Sequence, residues 1–152
     1  MTPLAFTKVA AQALQAAVSA GWPREACGLC LGRRASPMII ARCVNVPNVH
    51  PSPRRGYLMD LAALLGQLRA SQAEGWVLRA FFHSHPDGAP TPSATDIDLA
   101  AVGGTCIWPN VDQIVISTRC RRLHQIARYE VTGTTWRVAP MRWPDLTRAP
   151  DD

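Results

Sequence analysis

Alternating helical and strand periodicities predict an α/β protein, a single-domain sandwich in which helices flank one mixed β-sheet. Two observations carry this. Stretches with apolar residues at helical spacing fall between short runs rich in β-branched and aromatic residues, not before or after them. The length, 152 residues, suits one domain with a core of its own.

The elements follow in order. Phe6, Val9, Ala10, Ala13, Leu14, Ala17 and Val18 repeat at i, i+3, i+4 and i+7, which predicts an amphipathic helix ended by Gly21 and Pro23. ACGLCLG and MIIARCVNV flank the turn RRASP and predict a hairpin of strands over 25–32 and 38–46. Residues 47–56, PNVHPSPRRG, read as a loop. Asp60 caps a second helix, with Leu61, Leu64, Leu65 and Leu68 on its apolar face and Gly75 as its stop. VLRAFFH, 77–83, is a central strand because most of its positions are apolar. SHPDGAPTP is a loop, and Ser93 opens a short helix through Val102 that Gly103-Gly104 close. QIVIST is a strand, and HQIARYEV and TTWRV form a hairpin about Thr132-Gly133. The domain is expected over 1–138, with an irregular tail over 139–152 rich in Pro and Asp.

Composition narrows the function classes. No apolar run is long enough to span a membrane, and the N-terminal segment lacks a secretory apolar core, so a cytoplasmic location is expected. Sixteen basic against eleven acidic residues give a net charge of +5, a moderate excess. The arginines are scattered or paired in turns and form no basic stripe with interleaved aromatics, which disfavours nucleic acid. Five cysteines are an odd number, and free thiols are the default.

The informative segment is HSHPDGAPTPSATD. His83 and His85 share one face of an extended backbone and can hold one metal ion together. Asp96 follows after a proline-rich loop able to turn back, and two imidazoles with one carboxylate leave a tetrahedral zinc one open position for water. Glu25, two residues after Pro23 and just before a buried strand, is the candidate base. Plainer readings exist. Ser93-Ala-Thr-Asp96 is also a capping box, His-x-His is often a pair of structural histidines, and the prolines stiffen a loop. Cys27 and Cys30 lie on a strand at a spacing that faces opposite sides, so they read as core residues rather than a zinc or redox pair. Cys43, Cys106 and Cys120 read as buried fillers, His124 as structural, and Trp108 and Trp143 as candidate groove residues.

Taken together, Glu25, then His83-Ser84-His85-Pro86, six residues, Ser93, two residues and Asp96 resemble the complete signature of the JAMM (MPN+) zinc metallopeptidases, in their compact prokaryotic form. The resemblance implies the MPN fold, similar to cytidine deaminases. It implies one Zn2+ per chain on His83, His85 and Asp96, Glu25 as general acid/base, and Ser93 as donor to the oxyanion. It also implies cleavage after the C-terminal Gly-Gly of a ubiquitin-like protein or sulfur carrier. Tail trimming ranks slightly ahead of deconjugation, because a small protein suits a small flexible tail. Segments 47–56 and 103–113 are short where deubiquitinating relatives carry insertions, so no second zinc is expected. The rival from another class is a zinc-stabilised module that binds a ubiquitin-like protein without cleaving it.

Overall fold

The computed structural model describes residues 2–102 and 105–147. A short strand β1 (Leu4–Phe6) precedes helix α1 (Lys8–Gly21), whose first turn Thr7 caps by accepting the Ala10 N–H at 3.2 Å. Then come β2 (Cys27–Arg33), β3 (Ile39–Ile40), β4 (Arg42–Val46), helix α2 (Leu61–Ala73) and the long strand β5 (Trp76–Pro86). Helix α3 (Ala94–Leu99), β6 (Ala101–Val102) and β7 (Thr105–Cys106) lead to β8 (Asp112–Arg119), β9 (Arg122–Thr132), β10 (Thr135–Ala139) and β11 (Met141–Arg142).

The main sheet has the order β10-β9-β8-β5-β2-β4. Only β5 and β8 are parallel in it. Their connection passes through α3, a crossover of the length that parallel neighbours need. This is the mixed sheet flanked by helices that the sequence predicts. The period of two on β5 builds the two layers. Ala80 and Phe82 join the core under α1 with Leu14, Val18, Ile114 and Ile116, while Phe81 joins Leu29, Leu31, Leu64 and Leu68 under α2. Gly28 lies where the sheet is tightest. A Cβ there would strike the Val44 carbonyl and come within 2.6 Å of the Phe82 ring.

Several boundaries differ from the expectation, each for a tertiary reason. The apolar stripe of α1 is narrower than its sequence pattern, because Val9 and Ala13 face solvent beside the buried Ala10, Leu14 and Val18. On α2, Leu64 and Leu68 are buried while Leu61 is 68% exposed, since the sheet covers only one flank of the helix. Strand β5 continues to Pro86 instead of ending at His83, because β8 keeps pairing with it as far as Pro86 opposite Thr118. Helix α3 ends at Leu99, where the chain turns into β6 and pairs with β7. The expected closure by Gly103-Gly104 lies outside the described residues. The segment after 138 is not wholly irregular: Met141 pairs with Leu4, and Trp143 packs on Phe6 at 5.1 Å between ring centres, so that tryptophan serves the core rather than a groove. Buried Arg128 ties β9 to this segment, donating to Asp112 at 2.7 Å and to the Pro140 carbonyl at 2.9 Å. Cys120 is exposed at the β8–β9 turn with φ of 51°, not a buried filler, and the Cys106 side chain is outside what the structure describes.

Candidate metal centre

The site is assembled by strand register. Cys27 stands opposite His83, and the pairing runs on past β2: Ser84 N–H donates to the Ala26 carbonyl at 2.9 Å, and Ala26 N–H donates to Ser84 Oγ at 2.8 Å. That brings Glu25 beside His85, as expected for an element pairing with the 77–83 strand. His83 and His85 emerge on the α2 face with Phe81, while Ser84 points the other way and clamps β2. The loop after Pro86 is pinned at several points. Asp87 N–H donates to the Thr118 carbonyl at 3.0 Å, Tyr129 Oη to the Pro90 carbonyl at 2.6 Å, and Ser117 Oγ to the Gly88 carbonyl. The chain therefore returns to the histidines at a fixed place.

Ser93 caps α3 there, and both readings of this segment hold. Ser93 Oγ accepts the Asp96 N–H at 3.1 Å, and Asp96 Oδ2 accepts the Ser93 N–H at 2.8 Å. The same Asp96 oxygen faces the two imidazoles. His83 Nε2, His85 Nε2 and Asp96 Oδ2 lie 3.1 Å from one another in all three pairs. Glu25 Oε1 is 3.9 Å from His85 Nε2, and the ligand atoms of all four residues fall within 4.8 Å.

This triangle fits a metal ion better than it fits protons. His85 Nδ1 is 2.9 Å from the Ala89 carbonyl and must donate to it, so in the neutral ring Nε2 carries a lone pair. The contact between the two Nε2 atoms needs one donor and one acceptor, yet Asp96 Oδ2 needs both to donate. No neutral arrangement satisfies all three. A cation held by three lone pairs does, and tetrahedral zinc with ligands at about 2.0–2.1 Å sets them about 3.3 Å apart. The Ala89 carbonyl also orients a ligating His85 ring.

Burial is the largest single influence on Glu25, His83, His85 and Asp96, and the Asp96–imidazole contacts oppose it in the last three. Glu25 is 5% exposed, its Oε1 has no hydrogen-bond partner, and burial pushes its pKa up to about 7, with His85 opposing and Asp96 adding to the rise. Burial lowers the pKa of His83 against the pull of Asp96 and so favours the neutral, ligating form. Burial also opposes ionisation of Asp96, but its close contacts with the two imidazoles and the Ser93 N–H outweigh it and hold the carboxyl well below its usual range. The site opens to solvent through the His85 side chain, which is 18% exposed, and through the exposed Ser93.

Sequence reasoning did not anticipate Tyr57, whose ring stacks on His83 at 4.3 Å and fixes that imidazole from the side. Nor did it anticipate Asn48. Asn48 Nδ2 donates to the carbonyls of Glu25 and Gly56, and its Oδ1 accepts from His50 and Leu58 N–H, so it fastens the 47–58 loop to Glu25. Both residues lie in an irregular loop, where no periodicity marks them. His50 is part of the same scaffold, accepting the Ser52 N–H. Trp108 does line a concave surface by the site, edge-on to Phe81 and near Tyr57 and Leu61. Cys27 and Cys30 stay apart from this centre. Burial, with the Glu25 charge, pushes the Cys27 thiol up to about 12, and Cys30 is buried against Cys43.

A family model described as prokaryotic homologues of the JAB domain matches residues 7–138. The chain belongs to this prokaryotic JAB (JAMM/MPN) family. A probable TtuB-protein conjugate cleaving protease of Thermus thermophilus is 48% identical over 78 residues, about half the length of each chain. A desampylase of Haloferax volcanii is 31% identical over 115 residues, 76% of this chain and 75% of that one. Among solved structures, a protein of Desulfitobacterium hafniense superposes with a TM-score of 0.76 at 25% identity, covering 93% of this chain and 92% of that one. A JAB1/MPN domain protein of Archaeoglobus fulgidus superposes at 0.58 and 13% identity over 95% and 100%, a likeness of fold alone.

Within the JAB domain, Ser93 lends itself to separating its two jobs. Ser93→Ala is expected to cost about 1 kcal/mol of stability through the lost cap. It should also lower kcat more than it raises KM, the outcome that a hydroxyl donating to the oxyanion in the transition state gives. Steady-state kinetics beside a thermal melt checks this, and an unchanged kcat with a lower Tm would leave Ser93 as a cap alone.

Proposed function

We propose that this chain is a zinc-dependent peptidase or isopeptidase, with one Zn2+ per chain held by His83, His85 and Asp96, that cleaves after the C-terminal Gly-Gly of a ubiquitin-like protein or sulfur carrier. The observation that carries the reading is the triangle of ligand atoms at 3.1 Å with the buried carboxylate of Glu25 beside it. When bound, zinc supplies a Lewis acid and lowers the pKa of its water to about 7.

The rest of the chemistry belongs to the chain. Glu25, with its pKa near 7, takes a proton from the attacking water and returns it to the leaving nitrogen. Ser93 Oγ accepts from the Asp96 N–H and keeps its own proton to donate to the carbonyl oxygen as charge develops there. A glycine on the acyl side brings no side chain against the pinned 87–92 loop and the buried His83 and Asp96. Strand β4 ends the sheet order next to β2 and offers an edge along which an extended tail can lie.

The names of both relatives concern protein conjugates or modifier removal. They support cleavage of a conjugate at least as well as trimming of a tail. A non-cleaving binding module is disfavoured, because such a module has no use for a carboxylate buried beside three ligand atoms with one oxygen left without a hydrogen bond.

The test is mass spectrometry of a ubiquitin-like protein from the same genome, carrying extra C-terminal residues or an isopeptide-linked partner. Cleavage is expected directly after Gly-Gly, and changing the final Gly to Val is expected to abolish it. A cut elsewhere in the tail, or efficient cleavage of the Val variant, would reject this specificity.

A further inference from the structure

We propose that Arg24, Arg54 and Arg55 form a docking rim for the acidic surface of the protein whose tail enters the adjacent site, an assignment that rests on the function proposed above. The three side chains are exposed and come from two segments that meet. With Ser52 and Pro53 they line a cleft of about 320 Å³. None of the three guanidiniums has an ion-pair or hydrogen-bond partner among the described residues. Unpaired arginines gathered in one cleft raise the local positive potential and await an anion from outside.

Their placement is tied to the site. Arg24 adjoins Glu25, and Glu25 N–H donates to the Pro53 carbonyl at 2.7 Å, directly before the Arg54-Arg55 pair. Asn48 donates to both the Glu25 and the Pro53 carbonyls, so the backbone that carries the rim is tied to the backbone that carries the base. The rim continues on its other side. Arg24 also lines a cavity of about 750 Å³ with Trp22, and the Arg121 guanidinium lies 5.1 Å over that indole. Tyr57, whose ring stacks on His83, also lines an apolar concave surface with Leu58, Leu61 and Trp108. A protein bound at the site therefore has both charged and apolar side chains within the 54–61 segment to meet.

The occupant is an acidic protein surface rather than a nucleic acid. The rim is a few side chains wide, and Trp22 is covered by Arg121 instead of free to stack on a base. Complementary charge at such a rim acts chiefly on encounter and orientation of the partner.

The experiment measures the affinity of a ubiquitin-like domain of net negative charge, ending in Gly-Gly plus a reporter peptide, for Glu25→Gln protein with and without R24E/R54E/R55E. Turnover of this domain and of the isolated Gly-Gly reporter is then compared with Glu25 intact. The triple reversal is expected to weaken binding about 10-fold or more. It should lower the ratio of kcat/KM for domain over peptide by a similar factor. Raising salt from about 0.05 to about 0.3 M should bring the unreversed protein towards the variant. Equal affinities, or an equal loss on domain and peptide, would overturn the docking rim. So would binding of a DNA duplex that the reversal abolishes while the domain binds as before. Docking without turnover of either substrate would sink the peptidase reading and leave the rim standing.

Discussion

Glu25→Gln is expected to lower turnover by about 10²-fold or more while leaving bound zinc unchanged. The substitution keeps the size of the side chain and removes only its capacity to take a proton. Structure should tolerate it well. Glu25 Oε1 is buried with no hydrogen-bond partner to lose, and a neutral amide is cheaper to bury than a carboxylate. Kinetics and elemental analysis on one preparation check the prediction. Zinc lost together with activity would mean that Glu25 is itself a ligand, and the roles in this site would need reassignment.

The second large effect is that of the histidines. The double variant His83→Ala/His85→Ala removes two corners of the ligand triangle and is expected to contain no zinc and to show no turnover. The fold should persist. The two cores under α1 and α2 are built from Leu14, Val18, Phe82, Ile114 and Ile116 on one side and Leu29, Leu31, Leu64 and Phe81 on the other, none of which needs the ion. Circular dichroism should therefore show native secondary structure. A full complement of zinc in the double variant would place the metal elsewhere in the chain.

The histidines were legible in the sequence because a strand has period two. Two residues separated by one must share a face, whatever the rest of the chain does. Asp96 was legible as a third ligand after a proline-rich loop able to turn back, and its capping pattern with Ser93 fixes where the short helix begins. Glu25 was legible as a candidate from its place just before a buried strand, and the family pattern singled it out, since its proximity to His85 depends on the register of β2 against β5. Tyr57 and Asn48 carried no local signal, because their roles come from where an irregular loop is tied down. The fold class followed from the alternation of periodicities. The missed β1 and β11 are two or three residues long and pair with each other, and the extension of β5 to Pro86 comes from its partner β8 rather than from its own residues. Such features are decided by contacts distant in sequence.

Turnover of a Gly-Gly-containing ubiquitin-like fusion by chelator-treated and zinc-restored protein tests the central claim most directly. The chelated protein is expected to be folded and inactive, and one equivalent of zinc is expected to restore the full rate. Undiminished cleavage after chelation, or stoichiometric zinc binding with no cleavage of any such fusion, would contradict it.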